Sequence, residues 1–485
     1  MSAQYEAVIG LETHIQLNTL SKIFCGCLAD SWEAEPNTNI CPICSGHPGV
    51  LPVLNQAVVE KAVLLACAVR AEIHSTAFFD RKNYFYPDLP KGFQISQFDQ
   101  PLATGGYIDL PIPRAVDPEG AGYTRRVRIH KLHIEEDAGK TRHQGGRRLV
   151  DFNRCGVPLV EMVTEPDLRS AEEAALYLTR LRQLLRWIGV SEADMEKGNL
   201  RCDANVSIRL AGSQALNVKT EIKNVNSIDS LRDAVRKEIE RQTRQVEAGG
   251  AVESWTLDWD EDAGVLRKMR SKESEADYRY FREPDLLSLE VSPQWRERIL
   301  KGFPELPLER RQRFMDEYRL PEYDADILTL ERGLADYFEA AARAYGGDPK
   351  KVSNWLMNDV ARLLNDLGLR PDELKLTPAY LAELVALADS GTINLTTAKA
   401  LLRRVHESGK APGLLVEEGG LAQVKDDEAI RAACREVIQQ HPDEVAAYRA
   451  GKQTLMGWFV GQVMRATGGK ADVKQAAAVL AELLR

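Results

Sequence analysis

The 485-residue chain has no excess of positive charge: 63 Lys and Arg stand against 72 Asp and Glu, a net charge of −9 at pH 7. No global basic field therefore draws nucleic acid to its whole surface, and any such contact must come from local patches. No apolar run approaches the ~20 residues of a membrane span. The first residues, Met-Ser-Ala-Gln-Tyr-Glu, lack the basic start and apolar stretch of a signal peptide, so the cytoplasm is the expected location. A nucleotide cradle is missing too. Gly139-Lys-Thr141 looks like the end of a P-loop, but Ile134 stands where that motif needs its first glycine. There is neither a Ser-rich amidase signature nor a Cys-His glutaminase pattern. What is left is ordinary for a soluble globular protein, 44% hydrophobic and 28% charged, and the length suggests two to four domains.

Against that background two acidic segments stand out, Gly10-Leu-Glu-Thr-His14 and His133-Ile-Glu-Glu-Asp137. The first alternates as a strand. Tyr5, Ala7, Ile9, Leu11, Ile15 and Leu17 share one face, and Glu6, Gly10, Glu12, His14 and Gln16 share the other. Glu12 and His14 thus point the same way. They read either as a solvated strand face or as ligands for a divalent cation or phosphoryl group. The second segment favours the cation, because three consecutive acids beside a histidine are costly to cluster without one.

Four of the eight cysteines fall within twenty residues, as Cys25-Gly-Cys27 and Cys41-Pro-Ile-Cys44. Two close pairs on loops read as a tetrahedral zinc site that staples a loop, against the simpler reading of unrelated reduced thiols. His47 could compete as a ligand, but four thiolates complete a structural site. Zinc there would leave no open position for a substrate.

Between Phe79 and Pro101 aromatics, amides and charges interleave, and prolines at 87, 90 and 101 forbid a continuous helix. The run reads as a long loop, packed by its own aromatics or shaped to hold a polar ligand. Ser170-Ala-Glu-Glu173 is a capping box opening a helix with Leu178, Leu181, Leu185 and Ile188 on one face and Gly189 at its end. Arg201, Asp203, Asn205 and Ser207 then alternate on a strand, and Lys219, Glu221, Lys223 and Asn224 continue the polar pattern. Both segments face either a ligand or water. Arg267, Lys268, Arg270 and Lys272 precede Asp277-Tyr-Arg-Tyr-Phe-Arg282, basic residues among aromatics that suit RNA phosphates and bases. Helical periodicity dominates after about residue 293, with a second break near 406–413. From Gly451 onward five Lys and Arg, including Lys452, Arg465, Lys470 and Lys474, face two acids.

These motifs together resemble the B-subunit family of the bacterial aspartyl/glutamyl-tRNA amidotransferases. The resemblance rests on Val8-Ile-Gly-Leu-Glu-Thr-His14, both cysteine pairs, Asp80-Arg-Lys-Asn-Tyr-Phe-Tyr-Pro-Asp88, Leu132-His-Ile-Glu-Glu-Asp-Ala-Gly-Lys140, Asp151-Phe-Asn-Arg154, Pro158-Leu-Val-Glu161 and Leu200-Arg-Cys-Asp-Ala-Asn-Val-Ser207. It runs from the first strand to the tail. One departure is Phe281-Arg-Glu-Pro284, where the family usually has Phe-Pro-Glu-Pro.

The resemblance implies an α+β architecture in three parts. A catalytic cradle with a mixed or antiparallel sheet spans 1–293 and carries a zinc loop at about 25–44. A helical connector spans 294–405, and a small YqeY-like helical tail spans 406–485. It implies a carbon–nitrogen ligase component that uses ATP to phosphorylate the side-chain carboxylate of Glu-tRNA(Gln) or Asp-tRNA(Asn). Ammonia from glutamine, released by an A-subunit amidase, would then displace the phosphate, with a small C subunit completing a heterotrimer. Magnesium would be held by Glu12, His14, Glu136 and Glu161, with Glu135 and Asp137 ranked lower as facing elsewhere. Lys140, Arg154, Tyr84 and Tyr86 are the implied nucleotide contacts, and Cys25, Cys27, Cys41 and Cys44 the zinc ligands. No aspartyl-tRNA-synthetase-like insertion is present, which favours the bacterial protein over its archaeal relative. Two rivals are a non-catalytic component that only positions tRNA and a free-standing zinc-containing ligase acting on a small carboxylic acid.

Overall fold

The structure is a computed structural model that describes residues 5–117, 119–271, 275–422, 427–468 and 471–484. Lys272, Gly469 and Lys470 lie outside the described residues. The chain divides into two compact units, Met1–Leu306 and Pro307–Arg485.

The first unit is built on a ten-stranded sheet whose middle strand is Tyr5–Gln16. Its neighbours are Pro158–Thr164, continued by Tyr123–Glu136, and Leu200–Leu210, continued by Thr220–Val225. Pairing is antiparallel except between Thr220–Val225 and Trp255–Asp260, so the sheet is mixed. Alternation on the middle strand is as the sequence predicts. Ile9, Leu11, Thr13 and Ile15 are buried, and across them lie Val206, Ala204, Cys202 and Leu200. The hydroxyl of Thr13 donates to the carbonyl of Met162, which satisfies a buried polar group on that face.

Two helices cover this apolar face. Ala171–Trp187 begins at Ser170, whose hydroxyl accepts from the Glu173 N–H, and it buries Leu178, Leu181 and Leu185. Gly189 follows in the left-handed region at φ 69, where a Cβ would be strained. The capping box is incomplete, because the Glu173 carboxylate accepts from the Arg169 N–H instead of the Ser170 N–H. Ile228–Glu247 is tied to the sheet by Thr220 Oγ1, which donates to Glu238 Oε1, and by Gln242 Nε2, which donates to the Val206 carbonyl. The other face is left for polar residues.

The 79–101 run is not all loop. Asp80–Asn83 and Phe93–Ser96 pair antiparallel, and Phe281–Arg282 adds a third strand. Period-2 alternation is too short in four-residue strands to be read from sequence. Arg282 pairs with Asp80 at the edge of this small sheet and lays its guanidinium 4.0 Å from the centre of the Phe78 ring, so the missing proline leaves a strand residue with its N–H intact.

Every assigned element of the second unit among the described residues is a helix or helical turn. Leu395–Ser408 buries Ala398, Leu401, Leu402 and Val405 and ends at Gly409 with φ 68. The boundary expected at 405/406 falls inside this helix, because its apolar periodicity continues to Val405. The tail has its own core, in which Ile430, Cys434, Phe459, Val463 and Leu480 are essentially fully buried. No described helix is long and apolar enough to cross a membrane.

Candidate functional site

Strand parity and cross-strand register build the polar face. His14 stands opposite Glu161 on one side and Arg201 on the other, and Glu12 stands opposite Asp203. Glu161 in turn pairs with His133 on the next strand. His14 Nε2 lies 3.6 Å from both Glu135 Oε1 and Glu161 Oε2. His133 Nε2 lies 3.4 Å from Glu161 Oε2 and 3.6 Å from Glu135 Oε2. Two donor sets result, Glu12–His14–Glu161 and His133–Glu135–Glu161, each with its ligand atoms within 4.8 Å of one another.

Glu136 is not part of either set. Strand alternation sends it to the opposite face, where its carboxylate pairs with Lys91 and accepts from the Ile95 N–H at 2.9 Å. There it lines a separate cavity of about 310 Å³ together with Phe24, Arg81 and Glu283. Glu135 and Asp137 are the acids that share the His14 side, which reverses the sequence-based ranking. Alternation within the segment was readable, but which of its two faces meets His14 depends on register against residues 158–164.

The electrostatics are those of a crowded anionic pocket. Burial, with Glu161 alongside, pushes the Glu12 carboxyl up. Burial alone would raise Glu161 as well, but His133, His14 and Lys82 hold it below the usual carboxylate range. Against its own burial, His133 is pushed up to about 9 by Glu161 and Glu135. Its Nδ1 is buried without a hydrogen-bond partner among the described residues. Lys82 is raised despite burial by Glu135 and Glu161, so its ammonium stays charged over the acids. Further along the same face, Arg201 donates to Asp137 at 2.9 Å, and Lys223 donates to Asp203 at 2.7 Å. Carboxylate oxygens from two or three strands with one imidazole fit a hard divalent cation, and their mutual repulsion falls once such a cation is present. The raised Glu12 carboxyl marks a set of acids that the protein's own cations do not balance.

Aromatic side chains wall one side of the pocket. Tyr84 is pushed up by burial and by Glu135 and Asp137, so it stays a neutral phenol. Its ring meets Tyr86 at 5.8 Å and Tyr278 at 6.1 Å, and Tyr280 stacks on Phe98 at 4.2 Å. Lys82 Nζ is 4.7 Å from the Tyr278 ring centre. Tyr86 is half exposed, one ring further out. Lys82 and Tyr278 lie within recognised motifs, yet only the pairing of Asp80–Asn83 with its neighbours aims them here.

Arg154 is a brace. Its guanidinium donates to the carbonyls of Ala138 and Gly139 at 2.9 and 2.7 Å and lies 3.6 Å from Asp137. A Cβ at Gly139 would come within 2.8 Å of the Asp151 carbonyl, so this glycine serves a close chain crossing, in keeping with the absence of a P-loop. Lys140 lies beyond, 5.9 Å from the Trp32 ring centre. It is not gathered into the acidic pocket.

The four cysteines converge, with all four sulfurs within 4.8 Å of one another. The Cys41 N–H donates to Cys44 Sγ at 3.2 Å. A hydrogen bond between Cys25 and Cys44 holds the Cys44 thiol low and the Cys25 thiol high. Lys22 is fully buried, with its ammonium 2.9 Å from the Asn39 carbonyl and 3.6 Å from Cys44 Sγ. A zinc tetrathiolate carries net negative charge, so four sulfurs with a buried cation fit that ion. His47 lies outside the four and lines the neighbouring cavity.

Known proteins share this arrangement of sequence along the whole chain. Residues 7–297 match the family model described as the GatB/GatE catalytic domain, and residues 336–484 match the one described as the GatB domain. Several relatives carry the name of the B subunit of aspartyl/glutamyl-tRNA(Asn/Gln) amidotransferase. The one from Persephonella marina is 48% identical over 99% of this chain and 100% of its own length. The one from Thermodesulfovibrio yellowstonii is 49% identical over 99% and 100%, and that from Moorella thermoacetica 49% over 97% of both.

Proposed function

Because this chain belongs to the B-subunit family of the aspartyl/glutamyl-tRNA(Asn/Gln) amidotransferases, we propose that its polar sheet face carries out the activation step on misacylated tRNA. The substrate is Glu-tRNA(Gln), Asp-tRNA(Asn) or both. A side-chain carboxylate is a poor electrophile at neutral pH. Its oxygen attacks the γ-phosphorus of ATP, ADP leaves, and the acyl phosphate so formed is attacked at carbon by ammonia, with phosphate departing. Ammonia comes from glutamine through an amidase A subunit, and a small C subunit completes the complex.

The observation that carries this reading is the convergence of Glu12, His14 and Glu161, with His133 and Glu135, from three adjacent strands. Glu12, His14 and Glu161 would hold magnesium, with Glu135 in the place first given to Glu136. Magnesium bound there supplies neutralisation of charge on the transferring phosphoryl group. Lys82, charged and held over the acids, orients an anionic substrate group from the opposite side. Arg201 and Lys223 extend that positive rim while neutralising Asp137 and Asp203. Tyr84, Tyr278 and Tyr280 offer flat faces that restrict water at the reacting end. Zinc in the cysteine site would lock the 25–44 loop, and a three-part division, with its breaks moved outside the helices Pro293–Leu300 and Leu395–Ser408, remains part of this reading.

The deciding experiment is ATP hydrolysis by the assembled A–B–C complex, with and without Glu-tRNA(Gln), for wild type and Glu12→Ala. Loss of tRNA-stimulated phosphate release with glutamine hydrolysis and tRNA binding intact supports the reading. Unchanged stimulation reduces the chain to a component that only positions tRNA.

A further inference from the structure

Beside the acidic pocket, and separate from it, lies a cleft of about 310 Å³ that the reaction above does not use. Its wall is Trp32, an indole 54% exposed on a loop whose turn is fixed by the Trp32 N–H donating to Asp30 at 3.1 Å. Facing it are Lys140, Arg142 and Lys197, all exposed, and none of the three has a carboxylate partner among the described residues. The Lys140 ammonium is lowered by burial and by Arg142 and Arg154, a crowding of cations that Asp151 offsets only in part. Three acids share the rim: Asp30 accepts from the Trp32 N–H, Asp151 accepts from the N–H groups of Asn37 and Asn153, both at 3.0 Å, and Glu33 is exposed.

The positive charge continues outward. Lys140–Gln144 and Arg147–Asp151 form a hairpin that contains no acid between residues 140 and 150. Its register sets Gln144 opposite Arg147, Arg142 opposite Leu149 and Lys140 opposite Asp151, so Lys140, Arg142 and Arg147 share one face, with Asp151 at its inner end. Along a strand such positions recur every ~6.7 Å. Inward, the cleft is bordered by Gln16, two residues beyond His14 on the same strand face, and by Arg154, which is linked through Asp137 to Arg201 opposite His14.

A flat exposed indole, unpartnered cations beside it and a basic strip leading away are the elements of a single-strand nucleic-acid track. We propose that this cleft seats one nucleotide near the 3′ end of the tRNA, its base on Trp32 and its flanking phosphates on Lys140, Arg142 and Arg147. The inference rests on the tRNA substrate of the proposed function. The same nucleotide chemistry is offered by ATP, but one nucleotide would use only the cleft, whereas the cations run on along the hairpin.

The test uses the assembled A–B–C complex and equilibrium binding of uncharged tRNA(Gln), the same tRNA shortened at its 3′ end, and ATP alone. Trp32→Ala is expected to weaken full-length tRNA by about 5- to 100-fold and the shortened tRNA far less, with Trp32→Phe restoring most of the loss. Replacing Arg142 and Arg147 by Gln should flatten the slope of log K against log salt by roughly 0.7 per lost contact. In turnover the loss should sit in KM for Glu-tRNA(Gln), with kcat held at saturation. Equal effects on both tRNAs, or none, overturn the proposal. Weakened ATP binding with tRNA unaffected overturns it too and makes the cleft a free-nucleotide site. None of these binding arms needs phosphoryl transfer, so a failure of the Glu12→Ala experiment would leave them readable.

Discussion

The cysteine knuckle and the acidic sheet face are both clusters of potential metal ligands, yet they are assembled by different means. The knuckle draws its four sulfurs from two short loops, each pair close in sequence, and converges through local turns such as the Cys41 N–H to Cys44 Sγ bond. The acidic face draws its donors from residues 12, 14, 133, 135 and 161, placed by the pairing of three strands. A loop cluster depends on its ion to stay folded, whereas strand-borne donors are held by the sheet whether or not an ion is present. The first suits a staple and the second suits chemistry.

The sharpest way to break that contrast is to remove one donor from each cluster. Glu161→Gln should lower tRNA-stimulated phosphate release by about 100-fold or more, since it deprives both donor sets of their shared carboxylate. Zinc content, read by elemental analysis of the same complex, should not change. A parallel loss of zinc would mean that the two clusters are not independent.

Next in size is a parity test within one strand. Glu135→Gln should reduce phosphate release by about 10- to 100-fold with little change in Tm. Glu136→Gln should do the reverse. It leaves Lys91 without its buried partner, so the expected loss is several kcal/mol of stability seen in thermal unfolding. If Glu136→Gln abolishes phosphate release at unchanged Tm, the face assignment is wrong.

That pair of neighbours also marks how far the sequence could be read. Alternation over Tyr5–Gln16, the helix after Ser170, and the cysteine spacing all rest on local periods, and the structure carries each of them. Glu12, His14 and Glu161 came together as expected. Glu135 did not follow from the same reasoning, because one residue of register decides its face and register is set by strands distant in sequence. Lys82 and Tyr278 were hidden for a related reason. The strands beside them are two to four residues long and take their direction only from pairing with each other.

On the knuckle side, Cys41→Ser should empty the zinc site and lower Tm by on the order of 10 °C. The kcat of the fraction that remains folded should stay close to that of wild type. A kcat loss that exceeds the stability loss would give the knuckle a part in the reaction. Stripping zinc with a chelator should reproduce the Tm shift without any substitution.

The smallest expected effect is the most specific. Lys22 is fully buried, and among the described residues its ammonium donates to the Asn39 carbonyl and Cys44 Sγ. A lysine so placed costs desolvation energy that one carbonyl and one sulfur return only in part, whereas a metal tetrathiolate returns more of it. Lys22→Met keeps most of the length of the side chain and removes the charge. It should weaken zinc affinity by about 10-fold in competition with a chromogenic chelator, through a more negative and less stable tetrathiolate. In the zinc-free protein the same substitution should be neutral or stabilising, because a buried, poorly compensated cation is gone. Should Lys22→Met destabilise both forms equally, its ammonium serves the Asn39 carbonyl and the loop, and the charge argument for zinc at this site falls with it.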